Sequence, residues 1–120
     1  MDEKDRPDTV DFETFQALEI RSGRVLRAEP FPEARKPSIR LEVDFGDEVG
    51  VLQSAAQLTR RYEPAELVDT TVLGLVNLPP LRIAGFKSQC LILGVIAPDD
   101  PGDVVLVRPD RPVAPGWKLG

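Results

Sequence analysis

Two short apolar runs, separated by a Pro-Pro pair and a charged loop, constrain this chain more than any other feature. The first, 72–78, stops at Pro79-Pro80; the second, 91–96, begins after the loop LRIAGFKS. Runs this short, bounded by Pro and Gly, read as buried strands rather than helices. The intervening loop carries Arg82, Phe86, Lys87 and Ser88. Cations and an aromatic ring on a loop held by two buried strands suggest a binding module, because function concentrates on such loops.

The remaining chain reads mostly as strand. Ile20, Gly23, Val25 and Leu26 run through IRSGRVLRAEPF as a first strand, with Gly23 marking a bulge or a close backbone approach. PFPEARKPS, with prolines at 30, 32 and 37, reads as a loop. In IRLEVDF, Ile39, Leu41, Val43 and Phe45 alternate with Arg40, Glu42 and Asp44, which gives a strand with one wet face. GDEVG turns the chain into a third strand over 49–53. Ser54 is placed to cap a short helix over 55–62, and Pro64 to open another turn. VVLVRP is a further short strand, and the end of the chain is Pro-rich and extended. Before the first strand, DFETFQALE suits a helical turn capped by Asp11.

The expected architecture is therefore all-β: a five-stranded OB-fold barrel with a short helix between strands 3 and 4. At 120 residues it is one domain, divided into a disordered acidic tail over 1–10 and the barrel over 11–120. Three apolar residues near the end, Val113, Trp117 and Leu119, exceed what such a barrel needs to close. They form a subunit interface or fold back on their own barrel.

Composition narrows the function. There is no histidine and one cysteine, Cys90, which removes the commonest general base and any Cys/His zinc site. Scattered carboxylates assemble no nucleophile–base pair, and phosphate-loop spacings are missing, so neither enzymatic activity nor a cofactor is expected. A lone cysteine, an acidic N-terminus without an apolar segment and the lack of a membrane-length apolar run favour the cytoplasm, with no membrane insertion. The formal charge is −5. Residues 1–13 contribute −4 of it, so the body is nearly neutral and can carry a local basic patch.

That patch would comprise Arg35 and Lys36 ahead of strand 2 and Arg40 on its wet face, with Arg60, Arg61, Arg82 and Lys87. Cations lining the strand 2–3 face of an OB barrel would track a phosphate backbone; interspersed Glu33, Glu42 and Asp44 would make the same surface merely solvated. Phe86 either stacks on a base or apolar side chain or plugs the barrel end. Asn77 either pins the neighbouring loop or touches ligand.

The blocks FETFQALEIRSGRV, FPEARKPSIRLEVDFG, QSAAQLTRRYEP, NLPPLRIAGFKSQCLILG and GDVVLVRPDRPVAPGWKLG, in this order, resemble the CsaA proteins, small bacterial and archaeal export-related chaperones. CsaA is similar in turn to the tRNA-binding domain appended to some methionyl- and phenylalanyl-tRNA synthetases. The resemblance implies an OB barrel that forms a homodimer through its terminal extensions. It implies unfolded or pre-secretory polypeptides as partners, with Sec components, and a groove related to one that holds tRNA. A tRNA-binding protein acting in trans is the alternative. By position in the matching blocks, Arg35, Lys36, Ser54, Gln57, Asn77, Arg82, Phe86, Lys87 and Ser88 are the implied binding residues. The CsaA block reads PPRRIAGFKSE, whereas Leu81 and Gln89 stand here; Leu91 stands where the tRNA-binding relatives carry Met. These departures make the loop tip more apolar and less cationic, favouring peptide over RNA.

Overall fold

The computed structural model describes residues 2–120; Met1, the first residue of the expected acidic tail, lies outside the described residues. Nine strands run in the order β1 (Ile20–Phe31), β2 (Ser38–Asp44), β3 (Val51–Ala56), β4 (Thr71–Leu75), β5 (Leu81–Ile83), β6 (Phe86–Ser88), β7 (Leu91–Ile92), β8 (Gly94–Ala97) and β9 (Asp100–Leu106). Helix α1 (Phe12–Ala17) precedes β1, and α2 (Pro64–Leu67) lies between β3 and β4. The antiparallel sheet β3-β2-β1-β4-β7 curls into a half-barrel of OB-like form, joined by the hairpins β5–β6 and β8–β9.

Alternation in β2 creates the core. Ile39, Leu41 and Val43 are buried with Phe45, Val25, Leu58, Leu67, Val72 and Ile92, while Arg40, Glu42 and Asp44 face out. Each such aliphatic side chain contributes roughly 1.5–3 kcal/mol on burial. Two glycines let Phe45 reach the centre. A Cβ at Gly23 would sit 2.5 Å from Val43 and 2.8 Å from Phe45, and one at Gly74 would sit 2.6 Å from Phe45. Gly23 therefore marks a close approach; the bulge falls later in β1, where the register with β2 shifts between Val25 and Arg27. It bends the long strand so that residues 20–24 pair with β4 and residues 24–31 with β2.

Three boundaries depart from the sequence expectation, and one overlap is resolved. β1 runs through Pro30 to Phe31, the full extent of IRSGRVLRAEPF, opposite Ile39 and Ser38, so the Pro-rich loop begins only after Phe31. A proline is tolerated there because β4 pairs only as far as Arg24, leaving that edge of β1 without a ladder to interrupt. No helix forms over 55–62. Instead β3 runs to Ala56, and the chain turns with the Tyr62 amide donating to the Leu58 carbonyl at 3.1 Å. The helix comes one turn later, where Pro64 occupies its first turn and the Glu66 carboxylate accepts from the Glu63 amide at 2.9 Å. The loop LRIAGFKS is itself a hairpin, Ile83 opposite Phe86, with Ala84 (φ 48°) and Gly85 (φ 81°) as a two-residue turn. Positive φ at both central positions is the turn geometry that suits the twist of paired strands. Finally, the second apolar run breaks at Leu93 into β7 and β8.

The C-terminal segment folds back on β1. The Leu119 amide donates to the Ile20 carbonyl at 2.8 Å, the Gly116 amide to the Ser22 carbonyl at 2.8 Å, and the buried Ser22 hydroxyl to the Ala114 carbonyl at 2.8 Å. It occupies the stretch of β1 that β2 leaves unpaired. Arg21 and Lys118 lock it, both bonded to the Glu19 carboxylate, at 2.8 and 2.9 Å. These partners, Lys118 foremost, hold the Glu19 carboxyl below its ordinary pKa.

Candidate functional site

The outer face of β1, β2 and β3 carries a lattice of charge. Arg27 stands opposite Glu42, Glu29 opposite Arg40, Glu42 opposite Gln53 and Arg40 opposite Ala55. Residues directly opposite on one face lie about 5 Å apart, within reach of one another. Arg40 bonds Glu29 at 2.8 Å; Arg27 lies 3.5 Å from Glu42 and 3.8 Å from Glu29.

The β5–β6 hairpin walls one side of this face. Phe86 meets the buried Phe31 edge-on, with ring centroids 5.4 Å apart. The Arg40 guanidinium lies over both rings, 5.2 Å from Phe31 and 5.7 Å from Phe86. Charge over ring faces is attractive, on the order of 0.5–1 kcal/mol at exposed sites. A recess of about 250 Å³ opens beside the stack, bordered by Arg27, Glu29, Arg40, Glu42, Gln53 and Phe86.

The hairpin is held rigidly. The Gln53 side-chain amide donates to the Lys87 carbonyl at 2.9 Å, and the Gln89 amide to the Gln53 carbonyl at 2.8 Å. Ser54 donates to the Cys90 carbonyl at 2.8 Å, and Ser88 accepts from the Ala55 amide at 3.3 Å. Ser54 and Ser88 are thus buried and hold β3 to the chain entering β7. Cys90 is also buried, and desolvation pushes its thiol up to about 11.

The other expected residues divide into groups. Arg82 and Lys87 are cross-strand neighbours on the exposed face of the hairpin. Lys36 and Gln57 border a second recess with Arg60, whose guanidinium pairs with Asp100. Arg35 is exposed on the β1–β2 loop. Asn77 bonds outside its own loop: its carbonyl accepts from the Glu19 amide at 3.0 Å and its amide donates to the Ala17 carbonyl at 2.8 Å. It therefore ties α1 to β1. Among the described residues, Arg35, Lys36, Arg82 and Lys87 have no carboxylate partner within 4 Å, whereas Arg27, Arg40, Arg60 and Arg61 do.

Sequence reasoning missed Phe31 and Glu29. Both lie at the end of β1; Phe31 also falls in the Pro-rich stretch read as a loop, and Glu29 immediately precedes it. It also did not foresee a groove at the seam between β3 and β7–β8, which the expected residue Gln57 lines with Ala55, Ala56, Leu91, Ile96 and Val104 and which carries no charged residue. Leu91 and Ile96 are 50% and 61% exposed there.

Comparison with known proteins matches residues 20–118 to the family model described as "Putative tRNA binding domain". The crystal structure of the chaperone CsaA from Bacillus anthracis superposes with a TM-score of 0.87 at 48% identity, covering 94% of this chain and all of that one. The CsaA chaperone from Picrophilus torridus gives 0.84 at 36% identity, over 93% of this chain and all of that one. A methionine–tRNA ligase from Methanosarcina mazei is 37% identical over 92% of this chain. The chain spans 15% of that ligase's length.

Proposed function

Because the chain belongs to the tRNA-binding domain family, in its CsaA group, we propose that it is a non-enzymatic, export-related chaperone that holds unfolded or pre-secretory polypeptide in the cytoplasm. The observation that carries this reading is the uncharged groove between β3 and β7–β8. Its exposed Leu91 and Ile96 offer contacts to apolar side chains of an extended chain and nothing to a phosphate. Leu81, at the base of the hairpin, is a further exposed apolar side chain at 63%. Release is by mass action, since ordering a flexible client offsets much of the contact energy. Replacing Leu91 and Ile96 together by Ser should abolish binding of a reduced, carboxymethylated polypeptide in a variant that remains folded. Unchanged affinity in that folded variant would remove the groove from the site.

A homodimer completes the proposal, with residues 11–120 as the folded unit and the acidic stretch before them as a solvated tail. Its support is apolar surface on the terminal elements. Phe12 of α1 is 68% exposed and stacks on Phe15, and Trp117 is 61% exposed beside a groove formed by Leu73, Val107 and Val113. Surface of this kind is ordinarily covered by a partner. Docking to Sec components belongs to the same proposal.

The second reading, a tRNA-binding protein acting in trans, is favoured by one observation. Arg35, Lys36, Arg82 and Lys87 are exposed and lack carboxylate partners, the state expected of phosphate contacts. It requires affinity that falls steeply with salt, and a salt slope smaller by about 1 in Lys87→Ala.

A further inference from the structure

We propose that Glu29 and Glu42 are the specificity determinants of the β1–β2–β3 face, rejecting polyanions so that the face is left to polypeptide. This rests on the polypeptide-binding reading above. The two arginines that would carry a phosphate backbone across the face are Arg27 and Arg40, and each is matched by a carboxylate on the same side of the sheet. Glu29 lies 2.8 Å from Arg40 and 3.8 Å from Arg27; Glu42 lies 3.5 Å from Arg27. All four side chains are part exposed, so they set the potential that an approaching ligand meets. Two positive and two negative charges cancel over one recess.

The cations lacking such partners stand at the margins, Arg35 and Lys36 on the β1–β2 loop and Arg82 and Lys87 on the hairpin. A polyanion crossing the face leaves one cationic margin, passes a neutral floor with two carboxylates exposed to it, and only then reaches the other. Binding a phosphate at Arg27 or Arg40 means displacing a glutamate already held there, and the displaced carboxylate then repels the ligand. An uncharged peptide backbone meets no such penalty. The arginines are not idle in this state. Arg40 is spent on the aromatic stack, its guanidinium over Phe31 and Phe86, with Glu29 fixing it there.

The test measures anisotropy of a labelled single-stranded oligouridylate and of labelled bulk tRNA against salt. It compares the wild-type chain with E29Q/E42Q and with D8N/E13Q, which makes the same change in net charge away from the face. Unmasking two phosphate contacts should steepen the salt slope of E29Q/E42Q on the oligouridylate by about 1.4 relative to wild type. D8N/E13Q should not change it. The single E42Q, which leaves the Arg40–Glu29 pair intact, should shift it by about half as much and serves if the double variant is unstable. No steepening in a folded E29Q/E42Q or E42Q chain would overturn the inference alone. Equal steepening in D8N/E13Q would also overturn it, reducing the effect to bulk charge. Tight, salt-steep tRNA binding by the wild-type chain would likewise overturn the inference, because the glutamates would then be excluding nothing; the polypeptide reading fails separately, if the folded L91S/I96S chain keeps its affinity for polypeptide.

Discussion

The hydroxyl of Ser54 donates a 2.8 Å hydrogen bond to the carbonyl oxygen of Cys90, joining β3 to the chain that leaves the β5–β6 hairpin. Ser54 is 1% exposed, so this bond replaces water at a site water does not reach. Among the described residues its carbonyl partner has otherwise a 3.4 Å contact from the Ser88 hydroxyl. Ser54→Ala should therefore cost about 1–2 kcal/mol, as expected for a buried acceptor left poorly satisfied. Urea unfolding measures the loss; client affinity of the folded variant should not change. A fall in affinity without a fall in stability would return Ser54 to the binding surface.

Phe86 fastens the other side of the hairpin. Phe86→Ala removes the edge-on contact with Phe31 and one of the two rings beneath Arg40. For this half-buried ring a loss of about 2 kcal/mol is expected, below the range for a fully buried phenylalanine. Client affinity should fall with it, because the hairpin wall of the recess is gone. Isothermal titration with an unfolded polypeptide checks this; equal affinity in a folded variant would limit Phe86 to plugging the barrel.

Much of this arrangement is legible from residue types alone. Alternation in 39–45 placed the core face of β2, and Asp11 does cap α1, accepting from the Thr14 amide at 2.8 Å. What escaped depends on register, which single-strand patterning does not encode. Glu29 meets Arg40 only because β1 continues through Pro30 and pairs across the bulge. Seen in sequence, Arg40 is flanked two residues on by Glu42, yet its partner comes from the neighbouring strand. Ser54, Ser88 and Asn77 drew attention as polar residues in motif blocks. Their hydrogen bonds show that a block can be demanding for reasons of closure as well as of binding. The uncharged groove lies between segments distant in the chain and has no local signature.

Cys90 should be inert in the folded protein. With its thiol pushed up to about 11 by burial, the thiolate fraction at neutral pH is on the order of one in ten thousand, and the thiolate is the reactive form. Iodoacetamide at pH 7 should label it only as fast as the domain opens, and fully in denaturant. Rapid labelling of the native chain would show an accessible sulfur.

The C-terminal segment should respond to acid. Lys118 and Arg21 lower the Glu19 pKa in the folded state. A folded value below the unfolded one contributes stability that is complete above the unfolded value and is lost as pH falls through the folded value. Loosening of residues 114–119 should therefore begin below the ordinary glutamate range. Trp117, the one tryptophan, reports it by fluorescence, and Glu19→Gln should show the loosened signal already at neutral pH. A pH-independent signal in the wild-type chain would separate Glu19 from the anchoring of the segment.

The β1–β2–β3 face and the apolar seam between β3 and β7–β8 are proposed to hold polypeptide. The most direct measurement is fluorescence anisotropy of a labelled, reduced and carboxymethylated polypeptide titrated with the protein at low and at physiological salt. Saturable binding that persists at physiological salt is expected, because the contacts at Leu91 and Ile96 are apolar and the charged face is already compensated. No binding, or binding at low salt that vanishes at physiological salt, would contradict it.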